Sequence, residues 1–269
     1  MTSFFRRSLT LLVTGGAVLG SWAAMGFNAL ALTQAQIVDQ LGAVPVFTIT
    51  NNRGIPFVAE IPSQDENVTP TTFTEVFISH EDAETSLELL REQDPELGRT
   101  AQITPVSLGR IYEVALRTRE ANNPLEFLFV PILEEVEYAM SLPTTDNESS
   151  GVPLFMVSSP TKPNEVTDDD DEDKISLLTL KQGEEEIVPL FFRQDQFDGI
   201  ISSLQETEPD VAANLELRVI WLEDFIGILE RADDANDDVQ QYQMIPLPES
   251  IAFAQSFTPF IPEGSSDSE

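Results

Sequence analysis

The sequence predicts an α+β protein of two internally duplicated lobes, each ordered about β-β-β-α-β-α-β-α and related by a pseudo-twofold. Three observations lead there. Phe77 and Phe191 are 114 residues apart, and the same offset aligns Leu87 with Ile201, Leu90 with Leu204, Glu92 with Glu206 and Pro95 with Pro209. Without a gap it goes on to align Ile103 with Leu217, Val106 with Ile220 and Leu108 with Leu222. The order of strand-like and helix-like patterns also runs once to Ser141 and restarts at Gly151. This period is too long for a solenoid, whose repeats are about 20–50 residues. Finally, half-buried strands beside amphipathic helices favour a layered design with helices on one side of each sheet. The expected organisation is a secretory signal over 1–31, a first lobe over 32–142 and a linker over 143–150. A second lobe over 151–258 and a disordered acidic tail over 259–269 follow.

Residues 1–31 carry Arg6-Arg7, an apolar run from Ser8 to Gly20 and Ala29-Leu30-Ala31 as an A-x-A cleavage site. That run is short for a membrane span, so a cleaved signal is preferred to an uncleaved anchor. Thr33 caps a helix reaching Leu41. Val44–Thr50 and Ile55–Glu60, joined by Asn51-Asn52-Arg53-Gly54, read as a hairpin. Phe73–Ser79 is the third strand, and Ser79 caps a helix with Asp82 in capping-box position. Ala83, Leu87 and Leu90 form its apolar stripe, and Asp94-Pro95 ends it. Ala101–Val106 is a strand, Ser107 caps the next helix, and Leu125–Val130 is a strand again. Pro131 is expected at the first position of the closing helix, with Ile132, Val136, Ala139 and Met140 inward.

The second lobe repeats this. Val152–Phe155, Ile175–Leu180 and Ile187–Phe192 are strands, and the helix after them shows Phe197, Ile200, Ile201 and Leu204. Leu215–Trp221 leads into Leu222, Phe225, Ile226 and Leu229 at helical spacing, and Tyr242–Ile245 leads into a helix expected to begin at Pro246. Its Ile251, Phe253 and Ala254 match Val136, Tyr138 and Ala139.

Composition excludes several functions. Fourteen basic against 47 acidic residues give a formal charge of −33. Such a chain repels nucleic acid, whose binding rests on Lys and Arg at phosphates. Without cysteine there is neither a disulfide framework nor thiol chemistry, and one histidine, His80, cannot build a multi-histidine metal site. No G-x-S-x-G elbow, G-x-G-x-x-G turn or phosphate loop occurs, so no cofactor and no catalytic residue is assigned. The acidic runs 168–173 and 233–238 lack the alternating ligands and central glycine of an EF-hand, and read as solvated loops rather than calcium sites.

The continuous apolar stretches remain. Leu190–Phe192, Val219–Leu222 and Leu125–Leu133 signify either strands buried on both faces or an apolar face kept for a partner. On the second reading, Phe57, Phe77, Phe129, Ile132, Phe191, Phe192, Trp221 and Phe225 are the candidate groove residues.

Several of these segments resemble the Tic22 family: Val44–Thr50, Val76–Ser79, Pro95–Gly98, Val106–Gly109, Phe129–Pro131, Gly151–Phe155 and Val188–Phe192. The bacterial-style signal is similar to that of the cyanobacterial branch. The resemblance implies a fold of two pseudo-symmetric halves with apolar grooves and a non-enzymatic protein-transport role. It further implies a periplasmic, chaperone-like factor in outer-membrane biogenesis, although the signal alone also allows the thylakoid lumen. The partners it implies are unfolded or translocating proteins and an Omp85-type assembly machine, with no stable membrane insertion after signal removal. Two readings follow: a protein that holds apolar segments of clients, or an adaptor that docks on the assembly machine without holding them. The acidic runs depart from the family pattern.

Overall fold

Alternation in Pro45-Val46-Phe47-Thr48-Ile49-Thr50 sends Phe47 and Ile49 to one face of a strand and Val46 and Thr48 to the other. In the computed structural model that strand, β2 (Pro45–Thr50), is buried on both faces from Val46 onward. The structure describes residues 9–11, 32–61, 71–121, 125–143, 145, 151–160, 175–183, 185–207, 209–232 and 238–258. Most of the signal, most of the 143–150 linker, the acidic run 168–173, residues 233–237 of the second acidic run and the acidic tail lie outside these residues.

The fold is a mixed α+β arrangement with two sheets. The chain divides into two compact units: Ala35–Ile132 with the chain from Pro246, and Leu133–Ile245 with the first residues through Gln34.

In the first unit, β2 pairs antiparallel with β5 (Gln102–Ser107) and, through Phe47 and Phe77, with β4 (Thr71–Phe77). Strand β4 also takes β3 (Ala59–Ile61) antiparallel and β6 (Leu125–Val130) parallel. Helix α1 (Gln34–Gly42) precedes this sheet. The expected 44–60 hairpin is reduced to a single bridge, Thr50 to Pro56, and β3 pairs β4 instead. Proline at 56 lacks the N–H that a continuing ladder needs.

One core of the unit gathers Phe47, Ile49, Phe77, Ala83, Leu87, Ala101 and Ile103. Val46 and Val76, of opposite parity, are fully buried as well. Helices therefore cover both faces of this sheet, not one as the strand pattern suggested. Helix α2 (His80–Gln93) packs on β2, β4 and β5, and short α3 (Pro95–Gly98) follows it. Ser79 starts α2, its Oγ accepting from the N–H groups of Glu81 (3.1 Å) and Asp82 (3.4 Å). Helix α4 (Leu108–Glu120) packs on β5 and β6 and buries Leu108, Ile111 and Tyr112. A β-carbon on its Gly109 would stand 2.2 Å from the Val38 carbonyl oxygen of α1, so glycine permits this close approach.

In the second unit, β7 (Pro153–Pro160) pairs antiparallel with β10 (Glu216–Trp221), with β8 (Ile175–Gln182) and, through Phe155 and Phe191, with β9 (Glu185–Phe191). Strand β9 takes β8 antiparallel and β11 (Tyr242–Ile245) parallel. Strand β1 (Leu9–Leu11), within the segment read as a signal, lies parallel to β8 at the end of the sheet. Helices α6 (Asp198–Thr207), α7 (Pro209–Ala212) and α8 (Leu222–Arg231) also belong to this unit. Gln196 Oε1 accepts from the N–H groups of Phe192 and Arg193, both at 2.9 Å, while its Nε2 donates to the Ile245 carbonyl, 3.1 Å away. That side chain joins the exits of β9 and β11.

The closing helices sit otherwise than expected. Helix α5 (Leu133–Ser141), placed by sequence order in the first lobe, belongs to the second unit. Its Ala139 is fully buried in that unit's core, and Tyr138 lies 5.7 Å from Phe155. Helix α9 (Pro248–Ser256), expected with the second lobe, belongs to the first unit. Its Phe253 lies 3.8 Å from His80 and 5.6 Å from Phe47, ring centre to ring centre. Neither helix begins where expected. Val130 precedes a proline and stays extended, and α5 starts two residues after Pro131; α9 starts on Pro248, after the extended Leu247. Met140, expected inward, is exposed, whereas Glu135 is buried.

Candidate partner-binding surface

Burial separates core from surface among the eight apolar candidates. Phe77, Phe191, Phe192, Trp221 and Phe225 are buried, so they are core residues rather than groove lining. Phe77 and Phe191 are the cross-strand partners of Phe47 and Phe155, and Phe225 packs against Tyr242 at 5.9 Å. Only Phe57, Phe129 and Ile132 are half-exposed. Phe57 rests against the first unit's core.

The large apolar side chains that do reach solvent are others. In the first unit they include Leu128 on β6, Ile55 and Val58 either side of Phe57, Leu89 on α2, Leu97 on α3 and Ile251 on α9. On α5 of the second unit they are Leu133 and Met140. Strand β6 is the notable carrier. Among the described residues it pairs only with β4, so its other edge offers unpaired backbone groups. Leu128 is 52% exposed there, with half-buried Phe127 and Phe129 on either side in sequence. The sequence carries a signal for it within the apolar stretch Leu125–Leu133: Leu128 has the parity of Glu126, an outward-facing charge.

The turn bearing Ile55 is rigidly built. Asn51 Oδ1 accepts from the N–H groups of Arg53 (2.8 Å) and Ile55 (3.1 Å), and Gly54 supplies the φ of 75° that other residues adopt at a cost. Ile55 is thus held out by the turn with 56% of its surface exposed, and Val58, beyond the turn, is 53% exposed.

Electrostatics around these residues serves the fold. Burial pushes Asp82, Glu135 and Glu223 above the usual carboxylate range. Glu135 Oε2 accepts from Gln194 N–H at 3.1 Å, holding α5 to the turn after β9. Glu223 Oε2 accepts from Val152 N–H at 3.3 Å, beside Gly151. On α4, a hydrogen bond from Arg110 and the nearby Arg117 hold Glu113 below its usual range. Among the described residues, no group of three or more histidine, aspartate or glutamate side chains is placed to hold a metal ion, and no helix is long and apolar enough to cross a membrane. What the arrangement offers chemically is apolar contact and sheet-edge hydrogen bonding within a strongly acidic chain.

Comparison with known proteins agrees with this architecture. The structure of Anabaena Tic22, described as a protein-transport protein, is similar with a TM-score of 0.68 and 25% identity, covering 84% of this chain and 98% of that one. Tic22 from Plasmodium falciparum shares the fold with a TM-score of 0.58 and 18% identity, covering 81% of this chain and 94% of that one. No curated protein matches the sequence. A family profile described as Tic22-like matches residues 14–256, and the chain belongs to the Tic22-like family.

Proposed function

We propose that this chain is a non-enzymatic protein-transport factor that holds apolar segments of outer-membrane or translocating proteins in the periplasm. The observation that carries the reading is the outward display of Leu128, Ile55 and Val58 on an otherwise folded unit. Their exposure is unexplained by that unit's own core. Strands of membrane barrels alternate apolar and polar residues, which suits contact with isolated leucines and isoleucines set among carboxylates. The charge of −33 keeps a loaded complex soluble. Release is passive, driven by folding of the client. The transport role described for the Anabaena relative supports the same reading.

We further infer that the two units descend from one duplicated half. Support comes from matching registers: Phe47 opposite Phe77, and Phe155 opposite Phe191. Leu108 N–H donates to Val44 O and Leu222 N–H to Val152 O, both at 2.8 Å.

The test is dilution of an urea-unfolded outer-membrane barrel protein into buffer with and without this chain, followed by light scattering. An equally acidic inert protein is the control. Suppression near one-to-one, weakened by Leu128→Asp and Ile55→Asp in a chain that still unfolds cooperatively, is the expected result. No suppression beyond the control contradicts holding and favours the adaptor that docks on an Omp85-type machine.

A further inference from the structure

The β6 edge of the first unit combines an exposed leucine with flanking carboxylates. Val130 joins the core around Phe47, and Leu128 and Glu126, two and four residues back, share its face of the strand. Across the ladder, Leu128 lies beside Glu75 of β4 and Glu126 beside Phe73. Helix α2 packs on β2, β5 and the adjoining β4, and Glu75, Glu126 and Leu128 are left exposed. None of β3, β4 and β6 carries a lysine or arginine. Beyond its ladder with β4, the β6 main chain is bonded at its ends, where Leu125 N–H donates to Thr118 Oγ1 and Val130 O accepts from Ile78 N–H, both at 3.3 Å. An edge of this kind is normally blunted by charge or covered. The second unit offers an internal contrast. Strand β11 lies on β9 as β6 lies on β4, with Ile245 beside Phe191 as Val130 is beside Phe77. Two residues back, Gln243 and Pro189 take the places of Leu128 and Glu75. Pro189 is buried and Gln243 half-buried. The shielded position thus carries glutamine and the open one leucine, the reverse of what solubility alone favours.

We propose that the outer edge of β6 accepts an extended segment of another protein in which a short apolar run is flanked by lysine or arginine. Main-chain hydrogen bonds along the edge and apolar contact with Phe127, Leu128 and Phe129 supply affinity. Glu126, with Glu75 one strand further in, selects a cation over a carboxylate at the flank of the run. A second copy is a poor occupant, because two chains of formal charge −33 repel each other. That such segments come from unfolded clients rests on the holding function proposed above; the edge and its charge preference do not.

The test titrates two labelled peptides into the full chain at low ionic strength, one centred on Lys-Val-Leu-Val-Lys and one on Glu-Val-Leu-Val-Glu. Each reads the same in both directions, so a charge falls opposite Glu126 whichever way the added strand runs. The unaltered chain should bind the lysine peptide about tenfold more tightly than the glutamate peptide. Glu126→Lys should reverse that preference, an outcome that damage to the fold cannot produce. Leu128→Gln, which copies the glutamine at the matching place in β11, should weaken both peptides by about tenfold while urea unfolding stays cooperative. Bound lysine peptide should slow hydrogen exchange at β6 amides and leave β10 amides unchanged. Equal binding of the two peptides, a preference that Glu126→Lys does not move, or binding without protection of β6 overturns the proposal. Protection of β6 that grows with chain concentration in the absence of peptide assigns the edge to a second copy and overturns it as well. Charge-selective peptide binding without suppression of barrel-protein aggregation would retain the edge and remove the holding function. Suppression without charge-selective peptide binding would do the reverse.

Discussion

Replacing Gly109 by alanine tests how tightly α4 is set against α1. The added β-carbon would lie 2.2 Å from Val38 O and 3.1 and 3.2 Å from the N and Cα of Gly42. Ordinary contact begins near 3.4 Å, so the helices must separate by about an ångström. All three atoms are backbone and cannot rotate away. Helix α4 also buries Leu108, Ile111 and Tyr112, so separation loosens their packing. Alanine's better helix propensity returns under about 1 kcal/mol. The net cost should be about 2–3 kcal/mol, the upper part of the range for overpacking. The assay is urea unfolding followed by Trp fluorescence and by hydrogen exchange at β2 amides. Gly42→Ala is the matched control, because its new β-carbon meets nothing within 4 Å. A loss below about 0.5 kcal/mol, or an equal loss in Gly42→Ala, would refute the close approach.

Three further outcomes follow from the same geometry. Ser79→Ala removes the oxygen that accepts from Glu81 and Asp82 N–H and should cost about 1 kcal/mol in urea unfolding, with Ser79→Asp restoring most of it. Phe253→Ala should lower hydrogen-exchange protection at β2 far more than at β7, with a loss of about 2 kcal/mol for this half-buried ring; equal loss at both strands would contradict the place of α9. Burial raises the Glu223 pKa on folding, so the folded state keeps that proton longer than the unfolded chain and this group's contribution to stability falls as pH rises through the window above the usual glutamate value. Glu223→Gln keeps an acceptor for Val152 N–H and should flatten that part of the pH–stability curve, gaining on the parent at neutral pH and not at pH 4; an unchanged slope would exclude the assignment.

Local elements were legible because local chemistry fixes them. Ser79 and Ser107 cap the helices they were expected to cap, and Leu125–Val130 is a strand from end to end. What failed depends on distant contacts. Periodicity in α5 and α9 reports an apolar stripe but not which sheet it meets, so the exchange of the two closing helices left no mark in sequence. Met140 reads as inward by hydrophobicity, yet Glu135 takes the buried position because Gln194 N–H is there to meet its carboxylate. The surface was harder still. Phe191 and Phe192 look like an available patch until strand pairing covers them, while Leu128 betrays its exposure only through the parity it shares with Glu126.

The central claim, that this chain holds unfolded protein through apolar contact, is tested most directly by sedimentation of the full chain with one barrel protein in two states. With the barrel freshly diluted from urea, a defined complex should sediment in place of aggregate, and its stability should change little with salt because the contacts are apolar. With the same barrel folded in detergent micelles, no complex should form. Binding to the folded form alone, or a complex with the unfolded form that dissolves at moderate salt, would contradict the account.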